Sequence, residues 1–323
     1  MDYSSIIKEV GRGKDGARSI ASDQARELFG AMLDGAVPPL QLGAILIAFR
    51  VKGESREELR GFLQALEERL DRPRLPAGGP LPVVIPSYNG ARHSPNLVPL
   101  LALALRARGV PVLVHGVLAD PRRVTTAEVF AALGIPACTD AAEAAGRLAA
   151  ERLAFIPVSA LSGGLNRLLD VRWQLGVRNS AHTVCKMMQP FAGPALQLVS
   201  VTHPDYLRAM RDYFTAYPAR VLLMRGSEGE AVASVRRPQA IEWLHDGAAE
   251  VVLPAVEGSV TLPDLPASID AVATAAWIRA AQASGSIPPS IDAQIQIITA
   301  IAGDAAVSAG SGRQRPGDSV QHG

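Results

Sequence analysis

The segment Pro86-Ser87-Tyr88-Asn89-Gly90-Ala91-Arg92-His93-Ser94-Pro95-Asn96 joins an apolar run to a helical one, and its residue types suit the binding of an oxyanion. Ser94 followed by Pro95 reads as a cap and first-turn pair, so the free amides of a helix N-terminus would point into the turn. Such an end attracts phosphate, and open α/β sheets place their ligands beyond the carboxyl ends of strands. Arg92 and His93 add donors, although the same residues could simply close a turn. Arg122 and Arg123 follow a second apolar run, and Arg172, Arg178 and Lys186 lie on a stretch of helical character. The planar donor fork of arginine matches phosphate. Glu228 and Glu230, in Arg225-Gly226-Ser227-Glu228-Gly229-Glu230, could hold a hard cation such as magnesium, but surface-loop carboxylates are the simpler reading.

Other chemistry is poorly supported. His182, His203 and His245 lack metal-ligand spacing, and Cys138 and Cys185 form neither a disulfide framework nor a zinc site. Ser162-Gly163-Gly164 lacks the lysine and hydroxyl of a P-loop. Trp173, Trp243 and Trp277 read as packing residues, leaving Tyr88 as the plausible stacker for a base.

The elements that must carry these residues follow from periodicity. Residues 1–72 read as helices: one after Ser22, a second opened by Pro38-Pro39, and a third capped by Ser55 with Glu58 at the capping-box position. Residues 73–80, rich in Pro and Gly, read as a linker or hinge. Strands are expected at 82–85, 110–115, 154–158, 198–201, 221–224 and 251–253, alternating with helices that include 95–108, 268–284 and 290–301. The fold class is therefore α/β: a small N-terminal helical domain plus a larger, mainly parallel sheet flanked by helices over 81–307. Within it, 166–190 is a candidate to pack back on the helical domain, and 308–323 reads as a disordered tail.

Composition narrows the class further. With 48% hydrophobic and 20% charged residues the chain is globular. Its longest apolar stretches are about half of what a bilayer demands. The N-terminus lacks secretory character, so a cytoplasmic protein without membrane contact is expected. Net charge is only +1, but residues 73–200 hold 12 basic against 6 acidic side chains.

Order and spacing of motifs resemble the anthranilate phosphoribosyltransferase and type III nucleoside phosphorylase families from about residue 20 to 303. The run ARELFGAMLDGAVPPLQLGAILIAFRVKGES (residues 25–55) is similar to their helical domain. His115-Gly116 with Arg123 to Ile135 resembles the loop and helix of the KHGNR motif, Leu175-Gly176-Val177-Arg178 the LGxRT segment, and Val201-Thr202-His203-Pro204 the GVxHP turn. The departures carry as much information. The family's GTGGD pyrophosphate turn is replaced here by Pro86-Ser87-Tyr88-Asn89-Gly90, in which a tyrosine ring would occupy pyrophosphate space and proline removes a donor. Val114 and Val117-Leu118 replace the lysine and Asn-Arg around His-Gly, and the magnesium-holding Asp-Glu pair is absent.

Ser87, Tyr88, Asn89, Gly90, His115, Gly116, Glu228 and Glu230 thus mark a degenerate substrate site with no catalytic residue assigned. Among branches with such losses the chain most resembles the YbiB-type proteins, through Gly176 to Lys186 and Gly226 to Ala231. That resemblance implies a homodimer joined through the helical domains, without cofactor, binding DNA or RNA with little sequence preference. Arg92, Arg122, Arg123, Arg172, Arg178 and Lys186 would line its cleft. The alternative is a glycosyl- or phosphoribosyltransferase using magnesium on Glu228 or Glu230 and acting on an unknown base or aromatic amine.

Overall fold

The computed structural model describes residues 1–13, 15–75, 79–257 and 264–311, with side chains to Gly303 at the C-terminal end. Four helices open the chain: α1 (Tyr3–Val10), α2 (Ser22–Leu33), α3 (Pro39–Lys52) and α4 (Arg56–Glu67). The capping box of Ser55 and Glu58 starts α4. Glu58 is fully buried, and it is kept there by Lys52 Nζ at 2.6 Å and the Ile20 amide at 2.9 Å. Phe62 stacks on Phe29 (ring centroids 4.7 Å apart) and meets Phe49 edge-on at 5.3 Å, forming the centre of this small core.

Seven strands follow: β1 (Val83–Ser87), β2 (Val112–Gly116), β3 (Leu153–Pro157), β4 (Leu196–Ser200), β5 (Val221–Met224), β6 (Ile241–His245) and β7 (Ala248–Leu253). Their order is β3-β2-β1-β4-β5-β6-β7, parallel through β5 and antiparallel at β6 and β7. The first five are buried along their whole length, as expected where helices cover both faces. Sequence reading misses β6, because Glu242 and His245 interrupt its apolar pattern. Glu242 is nevertheless buried, paired with the Arg211 guanidinium.

Alternate residues of the strands enter two cores. Val83, Ile85, Val112 and Val114 face α5 (Val98–Ala107), α6 (Thr126–Ala132), α13 (Ala271–Ser284) and α14 (Pro289–Ser311). Val84, Leu113, Ala154 and Val199 belong to a second core that includes α7 (Ala141–Glu151), α12 (Pro204–Ala216) and the helical domain. The stretch of helical character from Arg167 to Met188 is divided among α9 (Gly163–Asp170), α10 (Arg172–Leu175) and α11 (Ala181–Met187), after a short α8 (Val158–Leu161). Gly176, at φ 75°, supplies the left-handed residue that ends α10. α9 and α11 pack on α2 and α4, and Arg167 Nη2 donates to the Leu33 carbonyl at 2.7 Å.

α14 continues to Ser311, past residue 308 where composition alone suggests a tail, because helical apolar spacing (Ile291, Ile295, Ile298, Ala302) anchors the helix that leads there. Residues 312–323 of that tail, and 76–78 of the expected linker, lie outside the described residues. Among the described residues no helix is long and apolar enough to cross a membrane.

Candidate functional site

β1 lies between β2 and β4, so the chain leaves β1 toward one side of the sheet and later returns on the other. The carboxyl edge at such a switch point is where an open sheet forms a crevice. The turns after β1, β2, β4 and β5 meet there. The turn after β1 and the loop after β2 are stitched together by the bridge between Ala91 and Val124. Helix α5 starts at Val98 rather than Pro95, with Leu97 at its cap. Ser94-Pro95 is therefore not a helix start: the Ser94 amide is already engaged elsewhere, and Asn96 Oδ1 accepts from Val98 N at 3.2 Å.

That engagement is the central feature. Glu230, 2% exposed, accepts the Asn89 and Gly90 amides on Oε1 at 2.6 and 2.7 Å. Glu228 accepts the Arg92 amide on Oε2 at 3.0 Å, and the His93 and Ser94 amides on Oε1 at 2.9 and 3.0 Å. The turn following β1 is thus an anion cradle of five amides, and two carboxylates of the chain fill it. The expectation that these glutamates are surface-loop carboxylates is wrong, because the amides draw them inward. Asn89 Nδ2 also donates to the Glu228 carbonyl at 2.9 Å, and a Cβ on Gly229 (φ 84°) would collide with that amide group. Glu228 itself has φ 52°, a costly conformation for a non-glycine residue, held here by its three amide donors.

Cations close the cradle from below. Lys186 Nζ donates to the Ser200 and Gly229 carbonyls at 2.9 and 3.0 Å; burial pushes its pKa down to about 8, against the pull of Glu230. Arg178 Nη1 donates to Asn89 Oδ1 at 2.7 Å, and burial, then Arg172 and Arg123, holds its pKa below the ordinary arginine value. Arg123 Nη1 donates to the Gly90 carbonyl at 3.3 Å and lies 3.7 Å from Glu228 Oε2. Of the four carboxylate oxygens of Glu228 and Glu230, Glu230 Oε2 lacks a partner, and it is buried. Three of the four carboxylate oxygens are on amides, so this arrangement does not fit a magnesium ion.

The remaining sequence-predicted residues divide. Tyr88 does not fill the cradle and does not present a stacking face: at 4% exposure it points into the core, hydroxyl to His115 Nδ1 at 2.8 Å. Burial takes the His115 pKa down to about 3, so the ring is neutral. Ser87 Oγ donates to Thr126 Oγ1 at 2.7 Å within a buried polar cluster with Asn96. Gly116 packs so closely on the Ser87 carbonyl that any side chain would clash. Arg172 is not free for phosphate, since its guanidinium pairs with Asp120 and lies 4.1 Å from the centre of the Trp173 ring. Trp173, expected to be a packing residue, is half exposed.

Arg92 and Arg122 are exposed, and Arg225, not singled out from sequence, joins them from the turn after β5, its Nε donating to the Thr202 carbonyl at 3.1 Å. Among the described residues none of these three guanidiniums has a carboxylate partner. No spacing could have revealed Arg225, because only the sheet order brings the turn after β5 to the one after β1. Beside the cradle, a cavity of about 410 Å³ lies between the helical and α/β parts. Its lining includes Arg50, Glu54, Arg178, His182, Lys186 and Tyr206. Burial, then Arg178 and Arg172, takes the His182 pKa down to about 3.

Comparison with known proteins agrees with this architecture. A family model described as glycosyl transferase family, helical bundle domain, matches residues 4–69. The chain is similar to the uncharacterized protein YbiB of Escherichia coli (strain K12), 44% identical over 308 residues that cover 95% of this chain and 96% of that protein. It is 32% identical over 235 residues to the anthranilate phosphoribosyltransferase of Methylocella silvestris, covering 71% of this chain and 65% of that enzyme. The crystal structure of anthranilate phosphoribosyltransferase from Thermus thermophilus shares the fold, with a TM-score of 0.68 at 20% identity over 96% of this chain and 97% of that one. Helical bundle, sheet order and end-to-end similarity together establish that the chain belongs to the anthranilate phosphoribosyltransferase and type III nucleoside phosphorylase family, alongside YbiB.

Proposed function

We propose that the chain is a non-catalytic protein that binds DNA or RNA with little sequence preference, as a cytoplasmic homodimer, through the basic carboxyl edge of a phosphoribosyltransferase-like sheet. One observation carries this reading. Arg122, Arg92 and Arg225 stand on the turns after β2, β1 and β5 without carboxylate partners among the described residues, while the cradle between them is filled by the chain's own glutamates. β2 and β5 are three strand spacings apart, about 14 Å. That span exceeds the axial rise of about 3.4 Å between successive phosphates of one duplex strand, so a backbone lying along the edge reaches more than one of these turns. Guanidiniums spaced in this way hold a backbone and read no base.

A dimer is supported by helix α3. Leu40 (87% exposed), Ala44, Ile47 and Val51 (62% exposed) make an unpartnered apolar stripe along it, a feature of association surfaces. A two-fold pairing there would duplicate the basic edge.

The test is an electrophoretic mobility series across salt with mixed-sequence DNA and RNA. Changing Arg92, Arg122 and Arg225 together to Ala is expected to weaken binding to all sequences alike. It should also reduce the salt slope by about 0.9 for each phosphate that is no longer neutralised, about 2 to 3 in total. An unchanged slope overturns the reading. A transferase reading draws on the 410 Å³ cavity beside Arg178 and Lys186 and on the family. It requires phosphoribosyl pyrophosphate with magnesium to raise the melting temperature and magnesium-dependent release of pyrophosphate.

A further inference from the structure

The five-amide cradle is built for two adjacent negative centres. Asn89 and Gly90 amides serve one, and the Arg92, His93 and Ser94 amides serve the other. Convergent amides of this kind form a concavity that suits oxyanions irrespective of their source. Here the two centres are carboxylates of a single short turn, residues 226–230, which carries its own counter-cation in Lys186 on the Gly229 carbonyl. The turn is also under tension: Glu228 is left-handed, Glu230 Oε2 is buried without a partner, and Gly229 is wedged against Asn89. Two neighbouring carboxylates, each on its own set of amides, present two adjacent negative centres, as a diphosphate does.

We propose that the turn 226–230 is a built-in occupant of a two-centre oxyanion site, with Glu228 and Glu230 excluding diphosphate-class ligands for as long as the turn is seated. The site is therefore neither lost nor vacant but held shut by an intramolecular competitor. An external ligand binds only the fraction of molecules in which the turn has left. If that fraction is about 1%, apparent affinity is about 100-fold weaker than the open site provides. This inference does not depend on nucleic-acid binding, which uses the exposed arginines and leaves the turn in place.

Inorganic diphosphate is the probe, followed by titration calorimetry and by melting temperature. The wild-type chain is expected to show no saturable binding at low millimolar diphosphate. The E228Q/E230Q variant, which keeps the shape of both side chains, should bind with an affinity at least about tenfold higher and melt at a temperature that rises with diphosphate concentration. Neutralising Asp246 and Glu250 instead, two exposed acids at the β6–β7 hairpin, controls for net charge and should leave the wild-type behaviour. G229A unseats the turn without altering either carboxylate and should open the site in the same way. If the variants are unstable alone but recover with diphosphate, the proposal holds. Diphosphate binding no tighter in both variants than in wild type or in the charge control, or variants that diphosphate cannot rescue, overturns it. Retention of DNA by E228Q/E230Q, measured in parallel, separates this outcome from any failure of the nucleic-acid reading.

Discussion

A buried histidine and a buried lysine set the chemistry of this crevice at the level of single residues. His115 stays neutral because burial takes its pKa down to about 3, with Nδ1 hydrogen-bonded to the Tyr88 hydroxyl. The unfolded chain takes up this proton near pH 6.5 while the folded one refuses it until about pH 3, so stability falls as pH drops through that window. His115→Asn offers an oxygen to Tyr88 and does not titrate. Its urea midpoint is expected to depend less on pH between 6.5 and 4 than that of wild type, with the residual slope arising in part from His182. Identical pH profiles would contradict the assignment. Lys186 is a buried cation near Glu230, and Lys186→Met removes that charge and leaves two carbonyls without their donor. A loss of about 1–3 kcal/mol in denaturant unfolding is expected from the unsatisfied carbonyls.

At the level of elements, α2 and α4 cross in close contact. A Cβ on Gly61 would run into the Ser22 carbonyl and lie 2.7 Å from the Arg26 amide nitrogen. Neither neighbour is a flexible side chain that can give way. Gly61→Ala should therefore cost about 1–3 kcal/mol, read as a lower denaturant midpoint at unchanged m value. The break at Gly176 separates α10 from α11, so Arg178 and Lys186 turn toward the sheet edge while α9 remains on α2.

For the whole molecule, the exposed stripe on α3 is the feature that a solitary chain does not satisfy. Ile47→Glu with Val51→Glu is expected to shift the protein to monomer in analytical ultracentrifugation. Its helical content should not change, since both side chains point away from the core that Ile45, Leu46 and Phe49 fill. The same variant should bind nucleic acid less tightly, because two basic edges joined in a dimer act with an effective local concentration that a monomer lacks. Dimerisation that survives both charges would place the interface elsewhere.

Much of this protein follows from local pattern. The capping box at Ser55, the helical stripe of α2 and the apolar runs of β1 to β5 depend on neighbours in sequence, and each element forms where its pattern lies. The motif order likewise marks the family and the altered pyrophosphate turn before any coordinate is known. The tertiary structure decides what fills that turn. Asn89 and Glu230 are 141 positions apart, and the sheet order β1-β4-β5 brings them to 2.6 Å. The same register turns Tyr88 inward, pairs Arg172 with Asp120 and adds Arg225 to the basic edge. A hydrogen bond between distant turns leaves no periodicity in either of them, so only the fold could assign the two glutamates to the amides.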